Sequence, residues 1–480
     1  MLLTNLLALL GIADDRRDTV TSLSIDSRKV TEGSVFFAYP GVSHDGRHYI
    51  LEAQAAGAVA IVYEGAGFEL PEGVTLPVFD VRNLQPKVGI VAHDFFGRAC
   101  DEMQVFGVTG TNGKTTCCYL LTQAFTQLGM QAAMIGTIGV GRLDALISSG
   151  HTTPDPIALH AILADFRAQG ITQVCMEVSS HALEQGRVSG VEFFCTLFTN
   201  LSHDHLDYHG DMARYGGAKQ RLFTDYFSEL VVTNADDPLG ASLVDVANAG
   251  FIVSYGIGGD VVADEVVLSA SGIDIVFEGN GIEFSARTPL IGAVNIPNIE
   301  MVVATLLALS TSVEDIQAVL AKLKPAPGRM ELLRNDTSAS VVIDYAHTPD
   351  ALEKALLSIK KHCEGRLWCV FGCGGDRDKA KRSVMGAAAD NNADCIIVTN
   401  DNPRSEDPLV IVQDIVAGID GDHQVVLDRA KAISCAVDQA APNDWIIVAG
   451  KGHESTQEAL GQIVNFSDRQ FVSNLLGVSL

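Results

Sequence analysis

The stretch Gly107-Val108-Thr109-Gly110-Thr111-Asn112-Gly113-Lys114-Thr115-Thr116 decides the fold. The apolar run Val105-Phe106-Gly107-Val108 reads as a short buried strand, and the residues after Lys114 read as a helix running to Gly129. A glycine-rich turn between a strand and a helix offers successive backbone N–H groups and a helix N-terminus to an anion. It predicts phosphate binding at Gly110, Thr111, Asn112, Gly113, Lys114, Thr115 and Thr116, with Lys114 reaching the outer phosphate oxygens and the Thr115 hydroxyl ligating Mg²⁺. The usual pattern has glycine where this chain has Val108, so the reading rests on the strand–turn–helix context, and a plain glycine-rich turn is its alternative.

Outward from this loop the pattern is strand, helix, strand. Val174 to Val178, Thr196 to Thr199 and Leu230 to Thr233 are apolar runs, each preceded by a helical stretch. That rhythm predicts a mostly parallel sheet with helices on both faces. Residues 261–288 lack it and read as antiparallel strands on the sheet margin, followed by helices over about 299–309 and 313–323. Before the loop, Ser34 to Ala38, Val59 to Val62 and Pro77 to Val81 predict a small α/β unit. After Lys324-Pro325-Ala326-Pro327-Gly328, a linker by composition, four more apolar runs begin at Val341, Leu367, Ile396 and Trp445 and fit an open Rossmann-like sheet. The expectation is an α/β chain of three domains: 1–86, a small N-terminal unit; 87–324, a central P-loop-type unit; and 325–480, a C-terminal Rossmann-like unit.

Composition bounds the function. With 480 residues, 47% hydrophobic and 19% charged, the chain can bury several cores and wholesale disorder is excluded. A net charge of −26 disfavours a nonspecific nucleic-acid binder, which needs a positive face. Ten cysteines occur without a CxxC pair and several sit inside apolar runs, so they read as buried thiols of a reducing compartment. The Leu-rich start runs directly into Asp14-Asp15-Arg16-Arg17 and reads as a buried or amphipathic helix rather than a signal peptide; no run is long enough to span a membrane. A cytoplasmic protein is expected.

Further polar clusters follow the strands. Glu177 ends one, before Ser179-Ser180-His181, where a carboxylate would face the same crevice as the loop and suit Mg²⁺. A strand-end carboxylate with purely local partners is the alternative. Asn200 to Gly210 packs His203, His205 and His209 with Asp204 and Asp207. His203 or His209 alone reads best as part of a solvated loop, whereas one histidine of the group is expected to contact metal or phosphate. In the third unit, clusters at Asp344 to Pro349, Gly372 to Lys379, Thr399 to Arg404 and Gly450 to Glu454 follow four strands. Any one could be turn chemistry; four together describe a binding crevice on one side of a sheet.

Taken in order, these motifs resemble the Mur ligases, ATP-dependent amide-forming enzymes of peptidoglycan precursor synthesis. The resemblance rests on Asp26-Ser27-Arg28, the loop Gly110 to Thr116, Thr152-Thr153-Pro154-Asp155, Glu177 to His181, Asn200 to Gly210 and Asp401-Asn402-Pro403-Arg404. It is nearest to the branch that adds meso-diaminopimelate to UDP-N-acetylmuramoyl-L-Ala-D-Glu. It implies that Ile25, Ser27, Val42, Ser43 and His44 hold the uridine nucleotide. Thr152, Thr153, Ser179, Gln185 and Arg187 would hold the muramoyl peptide, with His151 standing where the family has asparagine. Asn298, Arg329 and Asp344 would meet the adenine and ribose of ATP. Arg377, Asp401, Asn402, Pro403, Arg404, Gly450 and Glu454 would bind diaminopimelate. Lys219 matches a lysine carboxylated by CO₂, and this carbamate, with His205, Thr115 and Glu177, would hold two Mg²⁺ ions. Lys114, Glu177, His205 and Lys219 are thus the expected catalytic set. A monomer is expected, with L-lysine as the other possible added amino acid. A folate-polyglutamylating ligase and a non-catalytic P-loop regulator are the more distant alternatives.

Overall fold

A computed structural model of the protein describes residues 1–480 except Ser43, Ser149 and Asn280. Ser43, one of the expected uridine contacts, therefore lies outside the described residues. Among the described residues, three large sheets organise the chain, with a small two-stranded sheet near the C-terminus.

The first sheet has four parallel strands in sequence order, Ser22–Ser24, Ser34–Ala38, Ala58–Tyr63 and Val78–Asp80. The opening helix, Leu3–Leu9, buries Leu3, Leu6 and Leu7, the helical spacing that puts three side chains on one face. Helix Gln85–Phe95 then adds Val88, Val91 and Ala92 to the same core, so a boundary drawn at residue 86 falls in its first turn.

The central sheet has ten strands. The strand Gln104–Thr109 lies between Gln173–Glu177 and Phe193–Phe198, parallel to both. The next strand in sequence, Ala132–Gly136, lies beyond Gln173–Glu177, while Phe193–Phe198 and Ser228–Asn234 extend the other way. Chain order reverses beside the phosphate-loop strand, and a crevice opens at the carboxyl ends of strands at such a point. The expected marginal strands are Val261–Ser269, Gly272–Gly279 and Ile282–Thr288, antiparallel to one another. Strands Ala132–Gly136 and Ala249–Tyr255 were not anticipated. The first is a short run rich in small residues, Ala132-Ala133-Met134-Ile135-Gly136, and the second is exposed at several positions, so neither stands out as a β-branched strand signal. Helix Ile296–Ala308 closes the unit by burying Ile299, Val302, Val303 and Leu306.

In the third sheet, Ser340–Asp344, Trp445–Ala449, Leu367–Phe371 and Cys395–Val398 lie side by side and parallel. Glu331–Leu333 pairs antiparallel at one edge and His423–Val425 parallel at the other. Strand Trp445–Ala449, the last of this sheet in sequence, inserts between the first two parallel strands of the unit. All four polar clusters therefore emerge next to one another. A fully buried ion pair, Arg429 with Asp468 at 2.7 Å, sits behind them, and Arg429 also donates to the carbonyls of Asn400 and Ala449. A buried guanidinium is tolerated only with this degree of pairing, and here it holds two strand ends in place. No helix among the described residues is long and apolar enough to cross a membrane.

Candidate active site

The phosphate loop is shaped by two glycines. Gly110 has φ +148°, and a Cβ there would lie 1.7 Å from Thr199 Oγ1; Gly113, at φ +88°, would meet Asn298 Oδ1 at 2.7 Å. Thr111 N–H donates to the Asn200 carbonyl at 2.8 Å and Asn112 N–H to Asn200 Oδ1 at 3.0 Å, which joins the loop to the Asn200–Gly210 segment. Lys114 folds back and donates to the carbonyls of Gly110 and Thr111 at 2.7 and 2.8 Å. Burial pushes its amine below the ordinary lysine range, partly opposed by Glu177 and Asp204. Thr115 Oγ1 donates to Glu177 Oε2 at 2.9 Å, and Thr137 donates to the same carboxylate through its N–H and hydroxyl at 2.7 and 3.2 Å. Glu177 is 1% exposed and has no cationic partner within 4 Å among the described residues. A buried carboxylate beside a threonine hydroxyl, with no paired cation, is a hard oxygen donor set and fits Mg²⁺.

Lys219 projects from helix Met212–Thr224 to the same place. It is 1% exposed, donates to the Gly110 carbonyl at 2.7 Å, and lies 4.3 Å from the Tyr215 ring centroid. No ion pair involves it among the described residues. Burial, reinforced by the Lys114 charge, pushes its amine well below the ordinary lysine range. Burial of this kind favours the uncharged amine, the form that reacts with CO₂. His205, at φ +53° just before the turn Leu206–His209, lies 5.0 Å from the His181 ring. Burial lowers the pKa of both imidazoles, that of His181 to about 4. His209 is instead a buried structural residue, bonded to Ser180 Oγ at 3.0 Å and near Glu184 at 3.2 Å; His203 is exposed.

Next to Glu177, Thr153 Oγ1 donates to the Glu177 carbonyl and accepts from the Ser179 N–H. Thr152 pairs with Thr137 at 3.0 Å. Arg187 donates to the Thr153 carbonyl and to Gln185 Oε1, and Gln185 donates to Tyr208. These five residues form one hydrogen-bonded wall. His151 is exposed beside it. The first unit reaches the wall through Tyr39, whose hydroxyl burial pushes up to about 12 with Asp155 and Arg187 as its charged neighbours. Ile25 is half-buried, Ser27 donates to Glu52 at 3.1 Å, and Val42 and His44 are exposed on the same unit.

The third sheet faces the loop through Arg329. Its guanidinium lies 4.2 Å from the Tyr345 ring centroid, and Nη2 is 3.5 Å from Thr115 Oγ1. Asp344 accepts from the N–H groups of Met330 and Ala346 at 2.8 Å each; burial raises its pKa against the pull of Arg329. Asn298 Oδ1 accepts from Cys117 Sγ on the loop helix. Further along the sheet, Asn402 donates to Glu454 at 2.8 Å and accepts from Lys451 at 3.4 Å. Gly450, at φ +111°, lets the chain pass Asp401, whose carboxylate a Cβ would meet at 2.6 Å. Arg404 donates through Nη1 to the Gly375 carbonyl at 2.7 Å, lying over Gly374 and Gly375. The nearby Glu406 pairs instead with Arg382 and Lys379. Arg377 is exposed at the mouth of this crevice.

A phosphate loop and buried carboxylate on one sheet, facing an arginine and a polar crevice on another, describe an enzyme that activates one substrate with a nucleotide and delivers a second to it. Three family models match: the Mur ligase family catalytic domain at 19–94, the Mur ligase middle domain at 108–306 and the Mur ligase glutamate ligase domain at 328–452. The chain belongs to the Mur ligase family of ATP-dependent amide-forming ligases. It is 43% identical over 459 residues to the UDP-N-acetylmuramoyl-L-alanyl-D-glutamate–2,6-diaminopimelate ligase of Coxiella burnetii, covering 94% of each chain. The enzyme of that name from Vibrio vulnificus is 43% identical over 491 residues, with 100% of this chain and 99% of that one covered. A solved structure carrying the same enzyme name superposes with a TM-score of 0.72 at 33% identity and 99% coverage of both chains.

Sequence reasoning missed Thr137, Tyr39 and Lys451 as site residues. Thr137 and Tyr39 follow strands without any motif around them. Lys451 lay within a quoted cluster, and only its complete burial against Asn402 and Glu454 distinguishes it.

Proposed function

We propose that the protein joins meso-2,6-diaminopimelate to the D-glutamyl γ-carboxylate of UDP-N-acetylmuramoyl-L-Ala-D-Glu, using ATP, in peptidoglycan precursor synthesis. The γ-carboxylate attacks the γ-phosphorus of ATP, giving an acyl phosphate and ADP. The deprotonated amine of diaminopimelate then attacks the acyl carbon, the C–O bond to phosphate breaks, and an amide and inorganic phosphate result. The observation that carries this reading is the convergence of Lys114, Thr115, Glu177 and Lys219 on one crevice that Arg329 enters from the facing sheet.

Lys114 neutralises the transferring phosphoryl group, and the loop N–H groups hold the phosphates. The wall of Thr152, Thr153, Ser179, Gln185 and Arg187 orients the muramoyl peptide so that its carboxylate meets the phosphorus in line. Ile25, Ser27, Val42, Ser43 and His44 take the uridine end, Asn298, Arg329 and Asp344 the nucleoside of ATP. Thr115, Glu177, His205 and a carbamate on Lys219 hold two Mg²⁺ ions, which supply charge neutralisation at the phosphates when bound. Lys219 is the residue suited to that modification, because burial favours the uncharged form of its amine and a carbamate would offset the charge of the neighbouring Lys114. Arg377, Asp401, Asn402, Pro403, Arg404, Gly450 and Glu454 receive diaminopimelate. The three units are those expected at 1–86, 87–324 and 325–480, with the helix Gln85–Phe95 at the first boundary packing on the N-terminal core. Ten free thiols suit a cytoplasmic monomer.

The test is ADP release with the UDP-muramoyl dipeptide and a panel of diamino acids. The proposal requires release that depends on both substrates and is highest with meso-diaminopimelate. Equal turnover with L-lysine would replace the amino acid, and no release with any pair would favour a nucleotide-binding regulator.

A further inference from the structure

A second cluster of ligating side chains lies away from the phosphate loop. One donor atom from each of His93, Cys100 and His160 lies within 4.8 Å of the other two, and all three residues are at most 5% exposed. His93 comes from helix Gln85–Phe95, Cys100 from the turn Ala99–Glu102, and His160 from helix Pro156–Ala168. Cys100 sits just before the amino end of the strand Gln104–Thr109, whose carboxyl end carries the phosphate loop.

The geometry points to a binding site for a zinc-like divalent cation, ligated by His93, Cys100 and His160, that clamps the helix of the N-terminal core to the central unit. Two imidazoles with a thiolate are a donor set for soft and borderline transition metals, whereas Mg²⁺ takes mostly oxygen ligands. His93 Nδ1 and Cys100 Sγ are 3.3 Å apart. A tetrahedral Zn²⁺ with Zn–N near 2.0 Å and Zn–S near 2.3 Å needs about 3.5 Å between such atoms, so this edge is already in place.

The surroundings supply the outer contacts that metal-bound histidines use. His160 Nε2 lies 3.0 Å from the Ser189 carbonyl, a contact that orients the ring. His93 Nε2 is buried without a hydrogen bond in good geometry, and the Asp101 carboxylate is 3.4 Å from it. Asp101 is itself held by Arg98 at 2.8 Å, so it is suited to steer the ring rather than to leave Arg98 and ligate. Burial lowers the pKa of both imidazoles, that of His160 to about 4, which favours a free lone pair, and pushes the Cys100 thiol up to about 11. Binding therefore releases one proton from Cys100 to water as the S–metal bond forms. The Gly190 carbonyl, 3.7 Å from Cys100 Sγ, or a water completes four-coordination. Helix Gln85–Phe95 also packs against the turn that orients His160: a Cβ on Gly89 would meet the Ser189 carbonyl oxygen, the same carbonyl that faces His160 Nε2.

The probe is Co²⁺, added to the chelator-treated full chain in excess Mg²⁺, which occupies oxygen sites. Expected are one tightly bound Co²⁺ per chain, the visible bands of tetrahedral cobalt, a near-ultraviolet thiolate-to-cobalt band, and displacement of both by Zn²⁺. Cys100→Ser should abolish the thiolate band and weaken binding at least tenfold. Asp101→Asn should keep the band and weaken binding by about tenfold. If Cys100→Ser does not fold, His160→Gln is read in its place for loss of the tetrahedral bands. The proposal is overturned if stoichiometric Co²⁺ gives no thiolate band, if the band survives in Cys100→Ser, or if His160→Gln binds like the parent.

Discussion

Lys219 and Arg404 are the residues whose side chains say most about chemistry. A lysine buried against a carbonyl and an aromatic ring, with another lysine beside it, has no structural advantage over leucine and loses much of its solvation. A carbamate on the amine would account for a lysine at this position. Lys219→Ala should then abolish ligation, measured as ADP release, and a short carboxylic acid in the buffer should restore part of it. Full activity of the alanine variant without additive would reject this role. Arg404 has one corner of its guanidinium tied to the Gly375 carbonyl, and its Nε is 3.8 Å from Glu458 Oε2, beyond hydrogen-bond reach. The remaining N–H groups suit the extra carboxylate that distinguishes diaminopimelate from lysine. In a competition assay the parent should prefer diaminopimelate by about 10³-fold or more, and Arg404→Ala should lose most of that preference. An unchanged preference in the variant would move specificity elsewhere.

Among the elements, helix Ile296–Ala308 shows how a buried acid couples packing to pH. Its Glu300 is 5% exposed and accepts the Ala263 N–H at 2.8 Å, fastening the helix to strand Val261–Ser269. Burial pushes its carboxyl up to about 7. A carboxyl raised in the fold stabilises it fully below the unfolded value near 4.5, and this contribution disappears as pH rises through 7. Glu300→Gln keeps the acceptor and removes the titration. In urea unfolding the variant should match the parent near pH 5 and exceed it by up to about 3 kcal/mol near pH 8. Equal differences at both pH values would contradict the assignment. The hairpin Thr456–Ala459 with Gln462–Asn465 is the other informative element. Arg404 donates its N–H to the Glu458 carbonyl, and its own carbonyl accepts from Leu460. These bonds hold Arg404 at φ +53°, a conformation that Pro403 alone does not impose.

For the molecule as a whole, the arrangement of units places Arg329 of the third against Thr115 of the second. Contacts behind this meeting point fix the angle: His362 accepts the Gly292 N–H at 2.9 Å, and Arg334 donates to the Ala270 carbonyl at 2.9 Å. Arg329→Ala should therefore lower kcat at least tenfold and raise KM for ATP, while KM for the UDP-sugar peptide changes little, in initial-rate measurements. A rise confined to the UDP-sugar peptide would mean that Arg329 serves the other substrate.

What the sequence determined by itself is what local patterns carry. Gly110 to Lys114 between an apolar strand and a helix specified the strand–turn–helix loop, since a turn of that shape is a local property. The apolar runs ending at Val108, Glu177, Phe198 and Asp344 specified a parallel α/β fold and the strand ends that carry chemistry. The roles of Lys219 and Arg404 came only from family resemblance, because a lysine on a helix or an arginine in a turn has many local explanations. Tertiary structure alone decided the rest. Strand order brought Asp344, Lys451, Gly375 and Asn402 side by side from positions as far as 107 residues apart. Packing buried Lys219 under Gly110 and drew Thr137 onto Glu177. Strand pairing and burial are long-range, and the free energy that selects them belongs to surfaces that only the folded chain brings together.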